Sequence, residues 1–321
     1  MTDKAIIHTA LRTIQLEADA IAGLRNYIDA DFEKALDLIA KSKGRLVVSG
    51  VGKSALVAQK IVATFNSTGT PSVFMHAADA IHGDLGMVQK EDVILLISKS
   101  GDSPEIKVLV PLIKSFGNIL IGMVGNTTSF LANQSTVILN TSVDQEACPN
   151  NLAPTSSTTA QMVMGDVLAV CLMEMKDFGS ADFAKFHPGG ALGKRLYLTV
   201  GDLATQNERP AVSPAAGIRE VIVEMTRKRL GVTAVVTTGD VVEGIITDGD
   251  LRRMLEKEDN INGLHAIDIM TRSPVMIGGE LLAVDALEIM KAKDINQLVV
   301  ADNRIYKGIV HIHDIIKEGI I

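Results

Sequence analysis

Five short apolar runs that alternate with helical patterns restrict the fold of this chain more than any other feature of its sequence. Within each run, apolar residues follow one another almost without interruption, as in strands buried on both faces of a sheet. Helical patterns separate the runs, so the alternation predicts an α/β fold with an open, mostly parallel sheet, flanking helices and right-handed crossovers. The five predicted strands are residues 46–49, 72–75, 93–98, 119–124 and 136–140.

Further helical patterns lie on either side of the predicted sheet. Two of them precede it, at about 2–27 and 31–43, and a third at 157–175 is apolar almost all round. A helix without a polar face belongs in the interior of a protein. We therefore expect the first two helices to pack on the sheet domain and the third to be buried in it.

The second half of the chain contains an internal repeat. The string Gly244-Ile-Ile-Thr-Asp-Gly-Asp250 recurs 64 residues later as Gly308-Ile-Val-His-Ile-His-Asp314. Each copy reads as helix, strand, strand, helix, and copies of about 60 residues bury little core alone. We therefore expect two small α+β repeats that pack on each other. The predicted divisions are N-terminal helices at 1–44, the sheet domain at 45–197, and repeats at 201–260 and 265–321.

Charge and composition exclude several classes of protein. The chain has 31 Lys and Arg against 38 Asp and Glu, and this net charge of −7 argues against a nucleic-acid partner. No apolar run approaches the roughly 18 residues of a membrane span, and the N-terminus lacks a signal-peptide pattern. Cys148 and Cys171 have no pairing pattern. We expect a cytoplasmic protein without a membrane partner.

A glycine-rich turn follows the first predicted strand. It reads Ser49-Gly50-Val51-Gly52-Lys53-Ser54 and opens a helix. A nucleotide-binding P-loop would need a further glycine at the position of Val47, so that interpretation is rejected. Backbone N–H groups at a helix N-terminus favour an anion, and Lys53 adds a positive charge. A tight turn with a solvated lysine is the alternative.

A serine-rich turn follows the third predicted strand and also opens a helix. Its sequence is Ser98-Lys-Ser100-Gly101-Asp-Ser103. Three hydroxyls around one glycine provide donors for a monophosphate at a helix N-terminus. Since ligands of such sheets bind at the carboxyl ends of the strands, two anion-binding turns at this edge reinforce each other.

Four residues are candidates for proton transfer. They are His82, Glu105, Glu146 and His187, of which Glu105 lies in the first turn of the helix after the serine-rich turn. Each of them alone is more often a surface or capping residue than a catalyst. The histidines and cysteines lack the spacing of a structural zinc site.

The first half of the chain resembles a SIS (sugar isomerase) domain over residues 45–195. The family's Ser-x-Ser-Gly-x-Ser/Thr phosphate loop is matched by Ser98, Ser100, Gly101 and Ser103. The strings His-Gly-Asp-Leu-Gly-Met and His-Pro-Gly-Gly-Ala-Leu-Gly are more specific. With the two repeats, which resemble tandem CBS domains, nearly the whole chain is similar to the arabinose 5-phosphate isomerases. These enzymes interconvert D-ribulose 5-phosphate and D-arabinose 5-phosphate and feed synthesis of the lipopolysaccharide sugar Kdo.

This resemblance implies a set of site residues and no cofactor. No metal is required either, although His82 could hold an adventitious metal ion. Whether Glu105, His82 or His187 is the base stays open, and Lys99 and Asp102 replace a usual Asn and Glu of the loop. The implied catalytic residues are Lys53, His82, Glu105, Glu146 and His187, and the implied phosphate-binding residues are Ser49, Gly52, Ser98, Ser100, Gly101 and Ser103.

The CBS resemblance implies a regulatory ligand, an adenine nucleotide or a related molecule such as a nucleotide sugar. The family pattern, Gly-x-x-Thr/Ser-x-x-Asp/Asn, provides Thr247 and Asp250 in the first repeat and Asp314 in the second. The second repeat departs from it, with His311 in place of the hydroxyl residue. A sensing module and a mere oligomerisation element both remain open.

Two other functions remain open from sequence. One is a non-catalytic SIS regulator that senses a sugar phosphate, and the other is an isomerase of a different sugar phosphate. SIS enzymes commonly build their site between subunits, so the resemblance also implies a homo-oligomer, a tetramer before a dimer.

Overall fold

The computed structural model describes residues 3–258 and 260–320, which divide into two compact units between Phe186 and His187. This division precedes the predicted boundary at 197–201 and places His187 at the start of the second unit. Four residues inside the predicted divisions, Met1, Thr2, Asp259 and Ile321, lie outside the described residues.

The first unit is built on a sheet of five parallel strands, as the sequence predicts. Their order in the sheet is β2-β1-β3-β4-β5, and every neighbouring pair is parallel. The strands β1 and β3 are buried along their whole length, which explains their uninterrupted apolar character. The strands are β1 Leu46–Gly50, β2 Ser72–His76, β3 Val93–Ser98, β4 Ile119–Val124 and β5 Val137–Asn140.

Helices cover both faces of this sheet. Successive side chains of a strand point to opposite faces, so Val48 packs with α2, α3 and α7, whereas Val47 packs with α4, α5 and α6. The helices are α1 Asp3–Gly23, α2 Ala30–Ala40, α3 Lys53–Ser67, α4 Ala77–Ala80, α5 Pro104–Phe116, α6 Phe130–Gln134, α7 Ser156–Met175 and α8 Ser180–Phe186.

The helix α7 is the central helix of the first unit. It packs against α1, α2 and α3, and Gly165 allows close approach to Ile61 of α3. Contrary to the expectation that no apolar run approaches the length of a membrane span, α7 is long and apolar enough to cross a membrane. Half of its apolar window is buried inside the protein, as in a core helix.

The second unit confirms the internal repeat. Its main sheet has the order β10-β11-β12-β8-β7-β6, with β9 paired to β8. The antiparallel pairs β7–β8 and β11–β12 are equivalent, and each contains one irregularity in register. Val241 of β8 pairs with Ile305 of β12, so the repeats share one sheet. The strands are β6 Ala211–Val212, β7 Val232–Thr237, β8 Val241–Thr247, β9 Thr271–Arg272, β10 Met276–Ile277, β11 Gln297–Asp302 and β12 Ile305–His311.

Helices and a common apolar core complete the second unit. Tyr306 is buried between the repeats with Val232 and Val299, and its hydroxyl donates to Pro210 O at 3.0 Å. The helices are α9 Ala191–Tyr197, α10 Val200–Gln206, α11 Ile218–Lys228, α12 Asp248–Lys257, α13 Ala266–Ile269, α14 Ala283–Lys293 and α15 Ile312–Lys317.

Candidate active site

The two predicted phosphate turns lie at the same edge of the five-stranded sheet. The glycine-rich turn links Gly50, the last residue of β1, to α3, and Gly52 in it has a φ of +59°. The serine-rich turn follows β3, and Gly50 pairs with Ile97, the residue before Ser98. Since β1 and β3 are parallel neighbours, the backbone N–H groups that open α3 and α5 face one region.

Hydrogen bonds within the serine-rich turn hold its shape. Ser98 Oγ accepts from the N–H of Gly101 at 3.0 Å, and Ser100 Oγ accepts from the N–H of Asp102 at 3.3 Å. Gly101 has a φ of +69°, and a Cβ there would lie 2.1 Å from Ser129 Oγ. A side chain at this position would therefore disrupt the turn.

A cavity of about 320 Å³ lies between the two turns and α7. The hydroxyl of Ser103, which lines the cavity, and that of Ser49, on β1, are buried and make no hydrogen bond within residues 3–258 and 260–320. An unpaired hydroxyl in the wall of a cavity is suited to binding an anionic group. The cavity is lined by Val51, Lys53, Ser54, Ser98, Lys99, Ser100, Ser103, Pro154, Ser157, Thr158 and Gln161.

Glu146 lies behind the wall of this cavity and is almost completely buried. Its Oε1 accepts from Lys99 Nζ and from Ser157 Oγ, both at 2.5 Å, and its Oε2 accepts from the N–H of Thr155 at 2.8 Å. Burial opposes ionisation, but these hydrogen bonds outweigh it and lower the pKa of Glu146 to about 2. The carboxylate therefore stays charged at neutral pH and joins the serine-rich turn to the start of α7.

Glu105 has the opposite surroundings. It is only half-buried, in the first turn of α5, directly after the phosphate turn. Its own backbone N–H, then the nearby Ser103 hydroxyl and the charge of His76, hold the pKa of Glu105 below its ordinary value. An accessible, ionised carboxylate beside a phosphate site can accept a proton from a bound substrate.

The other three predicted catalytic residues do not all lie at the cavity. Lys53 lines the cavity, whereas His82 is exposed in the turn after α4 and does not line it. His187 begins the second unit. The first unit thus brings together the two turns, Lys53, Glu105 and Glu146.

Sequence reasoning missed several residues at this site. Ser157 and Gln161 of α7 line the cavity, and Gln161 Oε1 accepts from Ser54 Oγ at 3.2 Å. His76, the last residue of β2, lies at the same sheet edge as Gly50. A histidine that ends a parallel strand was the available signal for this third position.

The predicted ligand residues of the repeats have structural partners. Thr247 and Asp250 form a capping box at the start of α12, and Asp250 also accepts from Arg253 at 2.6 Å. Burial opposes ionisation, but these hydrogen bonds keep the pKa of Asp250 below its usual value. Beside it lies a cavity of about 220 Å³. It is lined by Asp250, Arg253, Met254, Lys257, Glu258, Leu264, Asp268 and Ile269.

The second repeat uses a histidine at the equivalent position. His311 Nδ1 accepts from the N–H of His313 at 3.1 Å, and Asp314 accepts from the N–H of His311 at 2.8 Å. Asp314 also accepts from Asn207 Nδ2 at 2.7 Å. Within residues 3–258 and 260–320, no group of three His, Cys, Asp or Glu side chains could hold a metal ion.

Comparison with known proteins identifies the family. The SIS domain model matches residues 38–171, and the CBS domain model matches 200–257 and 266–320. The arabinose 5-phosphate isomerase KdsD of Yersinia pestis is 44% identical over 97% of this chain and 95% of its own length. The same-named protein of Pseudomonas aeruginosa is 48% identical over 98% of this chain and 97% of its own length.

A solved structure supports the fold and the family. A protein of E. coli CFT073 in complex with A5P is 40% identical, with a TM-score of 0.55, and it covers 59% of this chain and 100% of its own. The SIS and CBS resemblances drawn from the sequence are confirmed. The full-length similarity and the SIS–CBS–CBS order together make this chain a member of the arabinose 5-phosphate isomerase family.

Proposed function

We propose that this protein interconverts D-ribulose 5-phosphate and D-arabinose 5-phosphate through an enediolate, and so supplies Kdo synthesis. The observation that carries the proposal is the cavity of about 320 Å³ between two phosphate-binding turns. Full-length similarity to KdsD isomerases supports the choice of substrate. The reaction moves a proton between two neighbouring carbons, so it requires one base, donors for an oxyanion and no redox cofactor.

We assign the 5-phosphate to the serine-rich turn. Ser98, Ser100 and Ser103 provide hydroxyls, and the N-terminus of α5 provides backbone N–H groups. Ser49 and Gly52 complete the cradle from the neighbouring turn. The phosphate would then hold the sugar chain near the first turn of α5.

We assign proton transfer between the carbons to Glu105. Its carboxylate is accessible, and its lowered pKa keeps it in the basic form at neutral pH. Lys53 and His82 stabilise the developing negative charge, and His187 assists proton transfer to the oxygens. Glu146 acts through Lys99 and Ser157, since it is too strongly hydrogen-bonded to exchange a proton.

Product analysis tests this function. The protein is incubated in D2O with separate pentose, hexose and heptose phosphates, and the products are followed by NMR. Formation of arabinose 5-phosphate from ribulose 5-phosphate, with deuterium at C2, is expected. Turnover of only another sugar phosphate would indicate a different isomerase, and binding without any turnover would indicate a sensor.

We further propose that the protein is a cytoplasmic homotetramer. One side of α1 is exposed and apolar, with Ile7, Leu11 and Ile14 each at least 60% exposed, and a second copy would cover it. Cys148 and Cys171 are free thiols, which suits a reducing compartment. A fully active monomer in sedimentation at assay concentration would contradict the assembly.

We also propose that the repeats bind a regulatory ligand. The cavity of about 220 Å³ beside Asp250 supports this, because its wall combines the cations Arg253 and Lys257, which suit a phosphate, with three carboxylates that suit ribose hydroxyls. Thermal melting with ATP, AMP and a nucleotide sugar tests it. A rise in Tm that Asp250→Ala removes is expected, whereas no shift with any of these probes would indicate an oligomerisation element.

A further inference from the structure

One hydrogen-bond donor in the wall of the cavity between the phosphate turns has no partner in the protein. Gln161 of α7 is buried, with 1% of the residue exposed, and it lines this cavity. Its Oε1 accepts from Ser54 Oγ at 3.2 Å, but its Nε2 makes no hydrogen bond in the part of the chain that the structure describes. Since almost all buried polar groups in proteins are hydrogen-bonded, an exception in a cavity wall indicates a partner that the protein itself does not supply.

The other polar side chains that α7 contributes to the cavity already donate to the protein. Residues three and four positions apart share a face of a helix, so Ser157 and Thr158 lie beside Gln161. Ser157 Oγ donates to Glu146 Oε1 at 2.5 Å, and Thr158 Oγ1 donates to Thr155 O at 2.8 Å. Each hydroxyl has a single proton, and these acceptors take it. Among the α7 side chains that line the cavity, Gln161 therefore provides the free donor.

This donor differs chemically from the phosphate turns. The serine-rich turn combines hydroxyls with backbone N–H groups at the N-terminus of α5, and Lys53 adds a full positive charge to the cavity wall. The amide of Gln161 is neutral and lies beyond the first turn of α7, so the dipole of that helix adds little to it. Charged and dipolar donors are the stronger ligands of a phosphate, which leaves the amide for a neutral oxygen such as a sugar hydroxyl.

We propose that Gln161 is a specificity-determining residue: its Nε2 donates to a hydroxyl of the sugar chain that takes no part in the reaction, while Ser54 holds the amide in place. The inference rests on the proposed isomerase function. That reaction moves a proton between C1 and C2, so the acceptor is the hydroxyl at C3 or C4. Sugar phosphates without this hydroxyl are disfavoured, because they leave the buried donor without a partner.

A cycle that changes both the enzyme and the substrate tests this contact. Gln161→Met keeps the length of the side chain and removes the amide. The substrates are ribulose 5-phosphate and its two analogues that lack the 3-hydroxyl or the 4-hydroxyl. Gln134→Met is the matched control, because Gln134 Oε1 also accepts from a side chain, Lys114 Nζ at 2.8 Å, but Gln134 does not line the cavity. The readouts are kcat/KM for each substrate, and Tm.

Gln161→Met should lose about 10-fold in kcat/KM on ribulose 5-phosphate, the size of effect expected for one lost hydrogen bond. The same substitution should cost nothing on the analogue that lacks the hydroxyl bound by Gln161, because that contact is already absent. On the other analogue the loss should persist. The control should match the wild type on all three substrates.

Equal losses on all three substrates would mean that Gln161 only packs in the cavity wall, and this result would overturn the inference. A kcat/KM close to that of the wild type on ribulose 5-phosphate would overturn it as well. If Gln161→Met fails to fold, as its Tm would reveal, Gln161→Glu decides, since its carboxylate still accepts from Ser54 but has no N–H. Repulsion between this carboxylate and the phosphate is common to the three substrates and cancels in their ratios.

Failure of the proposed function is a different outcome, since the wild type itself would then not turn over ribulose 5-phosphate. In that case the same cycle is carried out with the dissociation constants of the three compounds, measured by calorimetry. Equal ratios of these constants in the wild type and in the Gln161 variant would overturn the inference. Absence of binding to the wild type would overturn it too.

Discussion

Two glutamates near the phosphate turns illustrate how surroundings assign different roles to one residue type. Glu146 is buried, and hydrogen bonds from Lys99, Ser157 and the backbone hold its charge. Glu105 is only half-buried and lies close to the place where the sugar would extend from its phosphate. Glu105 can therefore exchange a proton at neutral pH, whereas Glu146 cannot.

Glu105→Gln should abolish turnover and leave sugar-phosphate binding largely intact. The amide keeps the shape of the side chain but cannot hold the abstracted proton, and loss of a general base costs about 10²- to 10⁴-fold in rate. Steady-state kinetics and calorimetric binding check this. Near-normal turnover would mean that Glu105 only complements the dipole of α5, and that the base is His82 or His187.

The kinetics of Ser100→Ala provide the comparison for those of Glu105→Gln. The phosphate is bound in the ground state and in the transition state alike, so a lost hydroxyl removes uniform binding. KM should therefore rise more than kcat falls. The opposite pattern would place Ser100 in the chemical step rather than in phosphate binding.

Glu146→Gln should lower the free energy of unfolding at pH 7. The amide presents N–H groups to donors that need an acceptor, and an unsatisfied buried group costs about 1–3 kcal/mol. Glu174→Gln, an exposed change on α7, is the control. Urea unfolding measures both, and equal stability of the two variants would contradict the structural role of Glu146.

The variant Glu146→Gln also tests how the stability of the protein depends on pH. The pKa of Glu146 is about 2 in the folded protein and 4.5 as the ordinary value. A lowered pKa gives stability that is present above pH 4.5 and lost as the pH falls toward 2. The wild type should therefore lose more stability than Glu146→Gln over this acid range.

At the scale of elements, the two repeats begin equivalent helices with different caps. Thr247 caps α12 with its hydroxyl, and His311 caps α15 with a neutral imidazole nitrogen. Burial, and then the neighbouring His313, lower the pKa of His311. Protonation of Nδ1 would remove the acceptor for the N–H of His313, so this cap depends on pH.

His311→Thr should reduce the pH dependence of thermal stability. A lowered histidine pKa gives stability that is present above the ordinary value of about 6.5 and lost as the pH falls below it. The Tm of the wild type should fall more than that of the variant between pH 7.5 and 5.5. His8→Gln, on exposed α1, is the control, and parallel pH curves for all three proteins would contradict the prediction.

Two helical glycines should respond oppositely to alanine. A Cβ at Gly165 of α7 would lie 2.4 Å from Ile61, which is fully buried and cannot move aside, whereas a Cβ at Gly23 of α1 meets nothing within 4 Å. Overpacking costs about 1–3 kcal/mol, while a compatible alanine stabilises by about 0.4–1 kcal/mol. Chemical denaturation of Gly165→Ala and Gly23→Ala measures both, and equal effects would mean that α3 and α7 repack freely.

At the scale of the whole molecule, the chain consists of two compact units with separate cores. The cavity between the phosphate turns lies entirely in the first unit, and the E. coli CFT073 protein in complex with A5P aligns over its whole length with 59% of this chain. The E. coli CFT073 protein therefore has this fold although it contains no counterpart of the remaining part of this chain.

A shortened protein that ends at Tyr197 should therefore keep measurable isomerase activity. It retains both phosphate turns, Lys53, Glu105 and His187. Activity per folded subunit, with assembly checked by sedimentation, is the measurement. A folded and assembled fragment without turnover would show that the repeats contribute to catalysis.

The sequence alone determined the architecture of both units. Uninterrupted apolar runs occur because β1 and β3 are covered on both faces, and the repeat is visible because each copy needs the same turns and core positions. The serine-rich turn was equally predictable, since its bonds, Gly101 N–H to Ser98 Oγ and Asp102 N–H to Ser100 Oγ, join residues within five positions of one another. Structure that depends on residues close together in the chain can therefore be predicted from a short stretch of sequence.

Only the tertiary structure decided which polar residues act together. Glu146 meets Lys99 from 47 positions away, and His76 reaches the site only because β2 and β1 are neighbours in the sheet. The burial of Glu146 could not be predicted from sequence either. This glutamate lies in a loop, and it is buried because the start of α7 encloses it. Charge and pKa at this site depend on contacts distant in sequence, which no local pattern specifies.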